Sequence, residues 1–245
     1  DFSMYVTQDE LKKINGVQIE ILREVVSVCN KLNIKFYMVH GSLLGTIRHR
    51  GFVPFDDDID IAMRRCDYEY FLKEAPKIIS KNYFIQSIYS EENYPLPFAK
   101  VRDIRTTYIC ESVKNINMNH GVYIDIFPID NSSAKISKIN RLKEKLLNLR
   151  ISSSLYLPKR TFKQKLKNSI AYIFCQSVKH AIRKREYFYK AFPESDYIRI
   201  TGGKPSERAI QKEWFDEAEE SLFEGIHVYI PKEYDKYLRC IYGDY

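Results

Sequence analysis

The chain has 245 residues, of which 44% are hydrophobic and 29% are charged, a balance that excludes a disordered protein. No run approaches the roughly 18 consecutive apolar residues of a transmembrane helix, so we expect no membrane span. Five scattered cysteines without a Cys-x-x-Cys pair favour reduced thiols over a disulfide framework or a zinc site. The first ten residues show no signal-peptide pattern, and we therefore expect a cytoplasmic protein.

The net charge of +7 is distributed unevenly along the chain. Residues 131–190 contain 16 Lys and Arg against two acids, a surplus of 14, which leaves a net charge of −7 for the remainder. Such a basic segment indicates a polyanionic partner or an anionic surface. No recognised nucleic-acid-binding module accompanies it, so we do not expect a nucleic-acid partner.

In chain order, the first predicted element is a long helix, with Thr7 as N-cap and Glu10 three residues later. The stretch KFYMVHG predicts a short strand, and SLLGTIRHRG predicts a helix of one to two turns that ends at Gly51. DIDIAM alternates acids with aliphatic residues, which predicts a strand with one polar face. A second helix in CDYEYFLKEAPKII and a strand in YFIQSIY follow.

In the second half, FAKVRDIRTTYIC predicts a hairpin that turns near residues 103–105, and GVYIDIFPID predicts a strand stopped by Pro128. The basic region predicts two helices separated near Pro158. Strands in DYIRITGG and SLFEGIHVYIP and a final helix in KEYDKYLRCIYGDY complete the chain. This order predicts an α+β fold with a mixed β-sheet flanked by helices.

We divide the chain into three parts. Residues 1–130 are the predicted catalytic core, 131–192 a basic helical insertion, and 193–245 the strands and helix that complete the same domain.

Four aspartates occupy the five positions from 56 to 60. Asp58 and Asp60 are two residues apart in the predicted strand, so both side chains point to the same face. Two converging carboxylates suit one hard divalent cation, and a solvated acidic edge strand is the alternative. Asp125 is a third candidate ligand because it interrupts an apolar strand, where local backbone donors are its alternative partners.

Gly41 and Ser42 stand at the predicted strand-to-helix turn, some sixteen residues before this pair of aspartates. Glycine lets a ligand approach the backbone closely, and the N-terminus of the helix offers N–H groups to a phosphate. An anion site beside a divalent cation supplies what phosphoryl transfer requires.

The stretch GSLLGTIRHRGFVPFDDDIDIAM resembles the signature of the LicD family of phosphocholine transferases. Three further stretches resemble later blocks of that family in the same order: FAKVRDIRTTY, HGVYIDIFPID and FEGIHVYIPKEYDKYLRCIYGDY. The resemblance covers most of the chain, and the basic middle is the least similar part. Phe55 stands where the family more often has Trp, and family members usually extend past the final YGDY.

The resemblance implies a nucleotidyltransferase-like fold and a set of site residues. These are catalytic and metal-binding Asp58, Asp60 and Asp125, phosphate-binding Gly41 and Ser42, and the supporting or substrate-binding Asp56 and Asp57. Arg48, Lys100 and Arg102 are the cations that we expect on the diphosphate, with solvated surface cations as the alternative.

The implied activity is transfer of phosphocholine, or a related alcohol phosphate, from a CDP-linked donor. The acceptor is a hydroxyl group of a cell-surface glycan, teichoic-acid or lipopolysaccharide precursor, either free or lipid-linked. The implied cofactor is Mg²⁺, with Mn²⁺ as the alternative, and Asp125 is a metal ligand or the general base. A choline headgroup needs aromatic faces, for which Phe55, Tyr94, Tyr123 and Trp214 are candidates unless they belong to the core.

Three other functions are open at this point. A glycosyltransferase with an Asp-x-Asp motif is disfavoured because only 57 residues precede Asp58. A nucleotidyltransferase that adds NMP from an NTP to a small molecule has the same fold and metal site. A non-catalytic scaffold would have no use for clustered acids, which cost stability.

Residues 159–190 form the most basic part of the chain and carry an apolar pattern at helical spacing. Its members are Leu166, Ile170, Ile173, Phe174, Val178 and Ile182. This pattern predicts peripheral contact with an anionic membrane surface, on the inner face of the cell membrane. A helix packed on the core with a solvated basic face is the alternative.

Overall fold

A computed structural model of the protein describes residues 7–54, 56–157, 161–202 and 208–245. The helices are α1 Gln8–Leu32, α2 His40–His49, α3 Arg65–Glu74, α4 Lys138–Ser154, α5 Phe162–Phe174, α6 Val178–Lys190 and α7 Tyr234–Tyr242. The strands are β1 Phe36–Met38, β2 Asp60–Arg64, β3 Tyr83–Gln86, β4 Ala99–Asp103, β5 Val122–Ser132, β6 Tyr197–Ile200, β7 Ile210–Gln211, β8 Ala218–Phe223 and β9 Ile226–Pro231. Short 3₁₀ helices lie at Ala75–Lys77, Glu111–Val113 and Lys212–Phe215.

A mixed seven-stranded sheet forms the centre of the fold, and it confirms the predicted α+β class. Five strands lie side by side in the order β1-β2-β5-β4-β3, and β6 pairs with β5 and with β7. Only β2 and β5 run parallel among these pairs in the described part of the chain. β8 and β9 form a separate hairpin, in which Glu224 and Gly225 both have positive φ angles, as a two-residue type I′ turn requires.

Helix α1 supplies much of the main core. Thr7 and Glu10 form the predicted capping box at its start. Ile21, Leu22 and Val25 are fully buried in the same cluster as the sheet residues, and each contributes about 1.5–3 kcal/mol by leaving water. The helix is amphipathic because its charged residues fall on the opposite side.

Strand β5 continues past Pro128, so the prediction that this proline ends the strand is wrong. On one side, β5 pairs with β4 up to Ile126 and with β6 from Ile129 onwards. Pro128 falls between the two partners, where its missing N–H group removes no ladder hydrogen bond between these strands.

The predicted hairpin in FAKVRDIRTTYIC is also wrong. β4 ends at Asp103, and it pairs with β3 on one side and β5 on the other. Because both edges of β4 are occupied, the residues that follow the turn have no edge on which to pair.

The basic region contains three helices instead of the predicted two. The apolar pattern that suggested one helix is interrupted between Phe174 and Val178, where Ser177 caps α6. These helices have a small core of their own, called the second core below. It is built from Leu147, Ile151, Cys175, Ala181 and Ile182 together with Ile88 and Tyr94. Pro158 lies outside the described residues, and the three-part division of the chain stays a prediction. Among the described ranges, no helix has the length and apolar character needed to cross a membrane.

Candidate active site

A cleft of about 690 Å³ opens where α2, β2 and β5 meet the C-terminal part of the chain. Four aspartates line it: Asp56, Asp58, Asp60 and Asp125. The structure therefore brings together the three carboxylates that were predicted to bind metal, although Asp125 lies 65 positions after Asp60 in sequence.

Sheet register places Asp60 and Asp125 next to each other. They are partners in the parallel pair β2–β5, so both side chains leave the same face of strands about 4.8 Å apart. Lys100 on β4 is the antiparallel partner of Asp125, and Gln86 on β3 is the partner of Lys100. A row of polar side chains thus crosses four strands. Asp58 was predicted to lie in this strand, but β2 begins two residues later, at Asp60.

Asp125 is neutralised by a buried cation. The Lys100 Nζ lies 2.5 Å from the Asp125 Oδ1 and 3.3 Å from the centre of the Tyr123 ring. Burial raises the pKa of Asp125, and the Lys100 ammonium lowers it. Lys100 was predicted to bind a diphosphate, but in this structure its charge is directed at Asp125.

The other carboxyl groups of the cleft repel one another. Burial, followed by the charges of Asp60 and Asp125, raises the pKa of Asp58 to about 9. Burial and the Asp125 charge also raise the pKa of Asp60 well above its ordinary value. Burial, followed by an interaction with Asp58 that opposes it and by the charge of Asp57, leaves the pKa of Asp56 above its ordinary value. A cation bound among these carboxylates would relieve their repulsion.

The donor set fits Mg²⁺. One carboxylate oxygen each from Asp56, Asp57 and Asp58 lies within 4.8 Å of the others. Mg²⁺ prefers oxygen ligands and is bound through one or two carboxylates together with substrate phosphates. Asp58 belongs both to this group and to the predicted set of Asp58, Asp60 and Asp125, and the exact ligand set stays a prediction.

Asp57 is held from two sides. Its Oδ2 accepts a hydrogen bond of 2.9 Å from the Tyr108 hydroxyl, and its carbonyl oxygen accepts one of 2.8 Å from the Gln18 Nε2. These bonds fix the backbone that leads into Asp58.

Helix α2 begins at His40, so Gly41 and Ser42 lie in its first turn, and the helix has ten residues instead of one to two turns. Gly41 lines the cleft, and a Cβ atom there would lie 2.9 Å from the Asp56 Oδ2. The Ser42 Oγ accepts a 2.8 Å hydrogen bond from the Asp60 N–H and so ties α2 to β2. No side chain caps this helix and no acid lies in its first turn, which suits it to an anion.

His40 was given no role from the sequence, yet it lines the cleft. Its φ angle of 51° is in the left-handed region, which is strained for a residue other than glycine. The imidazole Nδ1 lies 3.4 Å from the Asp60 Oδ2 and the ring packs edge-on against Phe127.

Two of the predicted phosphate-binding cations point elsewhere. Arg102 is buried, and its guanidinium donates to the Gln86 Oε1 and the Gly121 carbonyl. Arg48 is exposed and stacks 5.5 Å from the ring centre of Tyr245. Neither is among the described residues that line the cleft, whereas Arg208 is. Arg208 carries no sequence signal, because only the fold brings it to the aspartates.

The aromatic side chains of the cleft also differ from the predicted ones. Tyr94 belongs to the second core, Tyr123 covers Lys100 and Trp214 packs on the main core, while Phe55 lies outside the described residues. The cleft is lined instead by Phe127, Tyr237 and Tyr242. Burial and then the charges of Asp60 and Asp56 raise the pKa of Tyr242 to about 12, so its hydroxyl remains a hydrogen-bond donor.

Comparison with known proteins adds the family. A model described as the LicD/FKTN/FKRP nucleotidyltransferase domain matches residues 33–165. The chain belongs to this family. The matched range contains α2, β2, β4 and β5, and with them all the aspartates of the cleft.

Known proteins are similar to the chain over different lengths. The lipopolysaccharide cholinephosphotransferase LicD of Haemophilus influenzae is 26% identical over 247 aligned residues, which cover 96% of this chain and 91% of that protein. Uncharacterised proteins of Rickettsia typhi and Rickettsia prowazekii are 34% and 32% identical, each over 27% of this chain and over 22% and 25% of their own lengths.

Proposed function

We propose that the chain is a phosphotransferase that moves phosphocholine, or a related alcohol phosphate, from a CDP-linked donor to a hydroxyl group of a lipopolysaccharide or other surface-glycan precursor. The observation that carries this proposal is the cleft, in which four aspartates meet the uncapped first turn of α2. The name of the Haemophilus influenzae relative, which aligns over nearly the whole chain, supports the choice of choline phosphate.

Different residues of the cleft bind different parts of the donor. The N–H groups at the start of α2, reached past Gly41, bind phosphate oxygens, and Arg208 adds a positive charge. Asp58 and Asp60 hold Mg²⁺, or alternatively Mn²⁺, which neutralises the diphosphate when bound. Phe127, Tyr237 and Tyr242 offer aromatic faces to a quaternary ammonium headgroup.

The transfer itself needs a proton acceptor and an in-line geometry. The acceptor hydroxyl oxygen attacks the phosphorus that carries the alcohol, the bond from this phosphorus to the bridging oxygen breaks, and CMP leaves. The hydroxyl proton passes to a carboxylate of the cleft. Asp125 suits this role because Lys100 holds it in place and favours its ionised form.

A calorimetric titration tests the proposal. The protein is titrated with CDP-choline, CDP-ribitol, CDP-glycerol, CTP and a UDP-sugar, each with and without Mg²⁺. We expect Mg²⁺-dependent binding of one CDP-alcohol, together with release of CMP when a glycan acceptor is added. Asp60→Ala should abolish this release in a folded protein, and Asp196→Asn, an exposed carboxyl, serves as the matched control.

The other outcomes would reject the proposal. Preferential binding of CTP, followed by release of pyrophosphate, would identify a nucleotidyltransferase, the main alternative because the family domain is named for that activity. Binding of the UDP-sugar would indicate a glycosyltransferase. Full CMP release by Asp60→Ala would show that the aspartate cleft is not the site.

A further inference from the structure

Helix α5 presents its apolar side chains to solvent. Phe162 and Ile173 are 83% and 81% exposed, and Leu166 and Ile170 are more than half exposed. The spacing 162, 166, 170 and 173 places all four on one face at about 100° per residue. These four residues are called the α5 stripe below.

The orientation of α5 is fixed by contacts on its other side. Ala171, the buried residue of the helix, lies opposite Phe162. Arg150 of α4 stacks on Tyr172 and donates hydrogen bonds to the carbonyl oxygens of Cys175 and Gln176, just beyond the end of α5. The stripe therefore faces away from the protein body, the reverse of an ordinary amphipathic surface helix.

The apolar pattern predicted from Leu166 to Ile182 is divided between α5 and α6. Ile182 of α6 is fully buried and Val178 packs against the second core. The alternative of core packing therefore holds for α6, while the α5 part of the pattern has no core to cover it among the described residues.

The charges beside the stripe have a single sign. Lys163 and Lys167 flank one border and Lys165 flanks the other, and all three are exposed. No acid occurs anywhere between Glu144 and Glu186 in the sequence. Lysines at both borders of an apolar stripe allow the ammonium groups to reach anionic headgroups while the stripe enters the apolar layer.

We propose that α5 is an in-plane docking helix for an anionic lipid surface, with the α5 stripe inserted at the headgroup boundary and the three lysines on the lipid phosphates. At 13 residues and about 1.5 Å per residue, α5 is about 20 Å long and lies on a bilayer without crossing it. A lipid surface suits a convex stripe, whereas a protein partner would have to supply a complementary groove.

A second copy of the chain is a poorer occupant. Two stripes placed face to face would bring the lysine-rich borders of both helices together, and α5 itself has no acid to compensate. Phosphate groups on a lipid surface provide the missing negative charge, and the affinity of each Lys for such a surface adds to that of the others.

Co-sedimentation with vesicles tests the proposal without measuring enzymatic activity, so its failure would be separate from failure of the proposed function. The full chain is mixed with vesicles of equal phosphatidylglycerol and phosphatidylcholine, or of phosphatidylcholine alone. We expect binding to the anionic vesicles to be about a hundredfold stronger, and to weaken as salt is raised.

Two variants separate the contributions of charge and apolar contact. Changing Lys163, Lys165 and Lys167 to Glu should remove the preference for anionic vesicles, whereas the control Lys12→Glu/Lys13→Glu on α1 should retain it. Phe162→Ser/Ile173→Ser should weaken binding to both vesicle types by about tenfold or more. Because both positions are exposed, this variant should melt within a few degrees of the wild type.

Ile104→Ser/Ile109→Ser controls for general loss of exposed apolar surface, because both isoleucines are about half exposed and lie outside the basic region. Equal vesicle binding by this control and by Phe162→Ser/Ile173→Ser would overturn the proposal. A wild type that ignores vesicles but dimerises in analytical ultracentrifugation, with loss of the dimer in Phe162→Ser/Ile173→Ser, would assign the stripe to a second copy instead.

Discussion

The titration of Asp58 makes the stability of the fold depend on pH. Its carboxyl has a pKa of about 9 in the folded protein, against about 4 in an unfolded chain. Between these values the folded state retains a proton that the unfolded state releases. The free energy of unfolding therefore falls as the pH rises from about 4 to about 9, when no divalent cation is bound.

Asp58→Asn removes this titration. We expect the variant to exceed the wild type by about 1–2 kcal/mol in free energy of unfolding at pH 8 in EDTA, with a smaller difference at pH 5. Thermal or urea unfolding at several pH values measures it, and Asp196→Asn should show no such trend. The raised pKa would be contradicted if the difference in unfolding free energy between variant and wild type were the same at pH 5 and pH 8.

Gly41 tests how closely the backbone of α2 approaches the acids. A Cβ at this position would lie 2.9 Å from the Asp56 Oδ2, so Gly41→Ala displaces that carboxylate. We expect the transfer rate to fall by about tenfold or more, because small displacements in a site are costly, while the melting temperature hardly changes. Gly16→Ala in α1 is the control, since its Cβ meets nothing within 4 Å. It should stabilise the protein by up to about 1 kcal/mol without affecting the rate.

Arg208 and Arg48 allow the predicted and the observed cations to be compared. Arg208→Gln should weaken binding of the CDP-linked donor by about tenfold, because a charged hydrogen-bond donor to phosphate is lost from the cleft. Arg48→Gln, which changes an exposed side chain beside Tyr245, should bind the donor like the wild type. The opposite ranking in calorimetry would restore the prediction made from the signature motif.

The element that positions the acids is the contact between α2 and β2. The Ser42 hydroxyl accepts the Asp60 N–H in a buried setting, so Ser42→Ala leaves that N–H without its partner. We expect a loss of about 1–3 kcal/mol in unfolding free energy and a lower transfer rate. Thr46→Val removes a neighbouring buried hydroxyl that donates to the Ser42 carbonyl, and it leaves no N–H unpaired. Similar losses of stability and rate in both variants would show that the hydrogen bond from Asp60 to Ser42 contributes no more than any other buried hydroxyl group.

Elements that depend on local pattern could be predicted from the sequence. The capping box at Thr7 and the alternation around Asp60 are set by neighbours within a few residues, and the structure confirms both elements. Pro128 was misjudged because its tolerance depends on where β4 ends and β6 begins, which are non-local facts. The break between α5 and α6 was missed because the apolar period continues across it.

At the scale of the whole molecule, the proposed metal site predicts that stability depends on Mg²⁺. A cation that binds only the folded state raises the melting temperature, and at a hundred times its dissociation constant it contributes about 2.7 kcal/mol. We therefore expect Mg²⁺ to raise the melting temperature of the wild type by several degrees in differential scanning calorimetry. Asp60→Ala should respond much less, and an equal response would place the Mg²⁺ site elsewhere.

The composition of the cleft explains why its sequence-based description was incomplete. Asp58, Asp60 and Asp125 stand out because acids within apolar strands are unusual and therefore noticeable. Arg208, Tyr237 and Tyr242 look like ordinary surface or helix residues until the fold places them opposite the aspartates. This part of the site depends on the pairing of β6 with residues 129–132 of β5 and on the position of α7.

The family match ends at residue 165, yet Ile200, Arg208, Tyr237 and Tyr242 of the cleft lie beyond it. A fragment cut at the limits of the match would keep the four aspartates of the cleft. It would lose the residues on the opposite wall of the cleft and β6, the strand partner of residues 129–132. The range that identifies the family therefore supplies the acids of the cleft, while residues after it supply Arg208 and the tyrosines that face them.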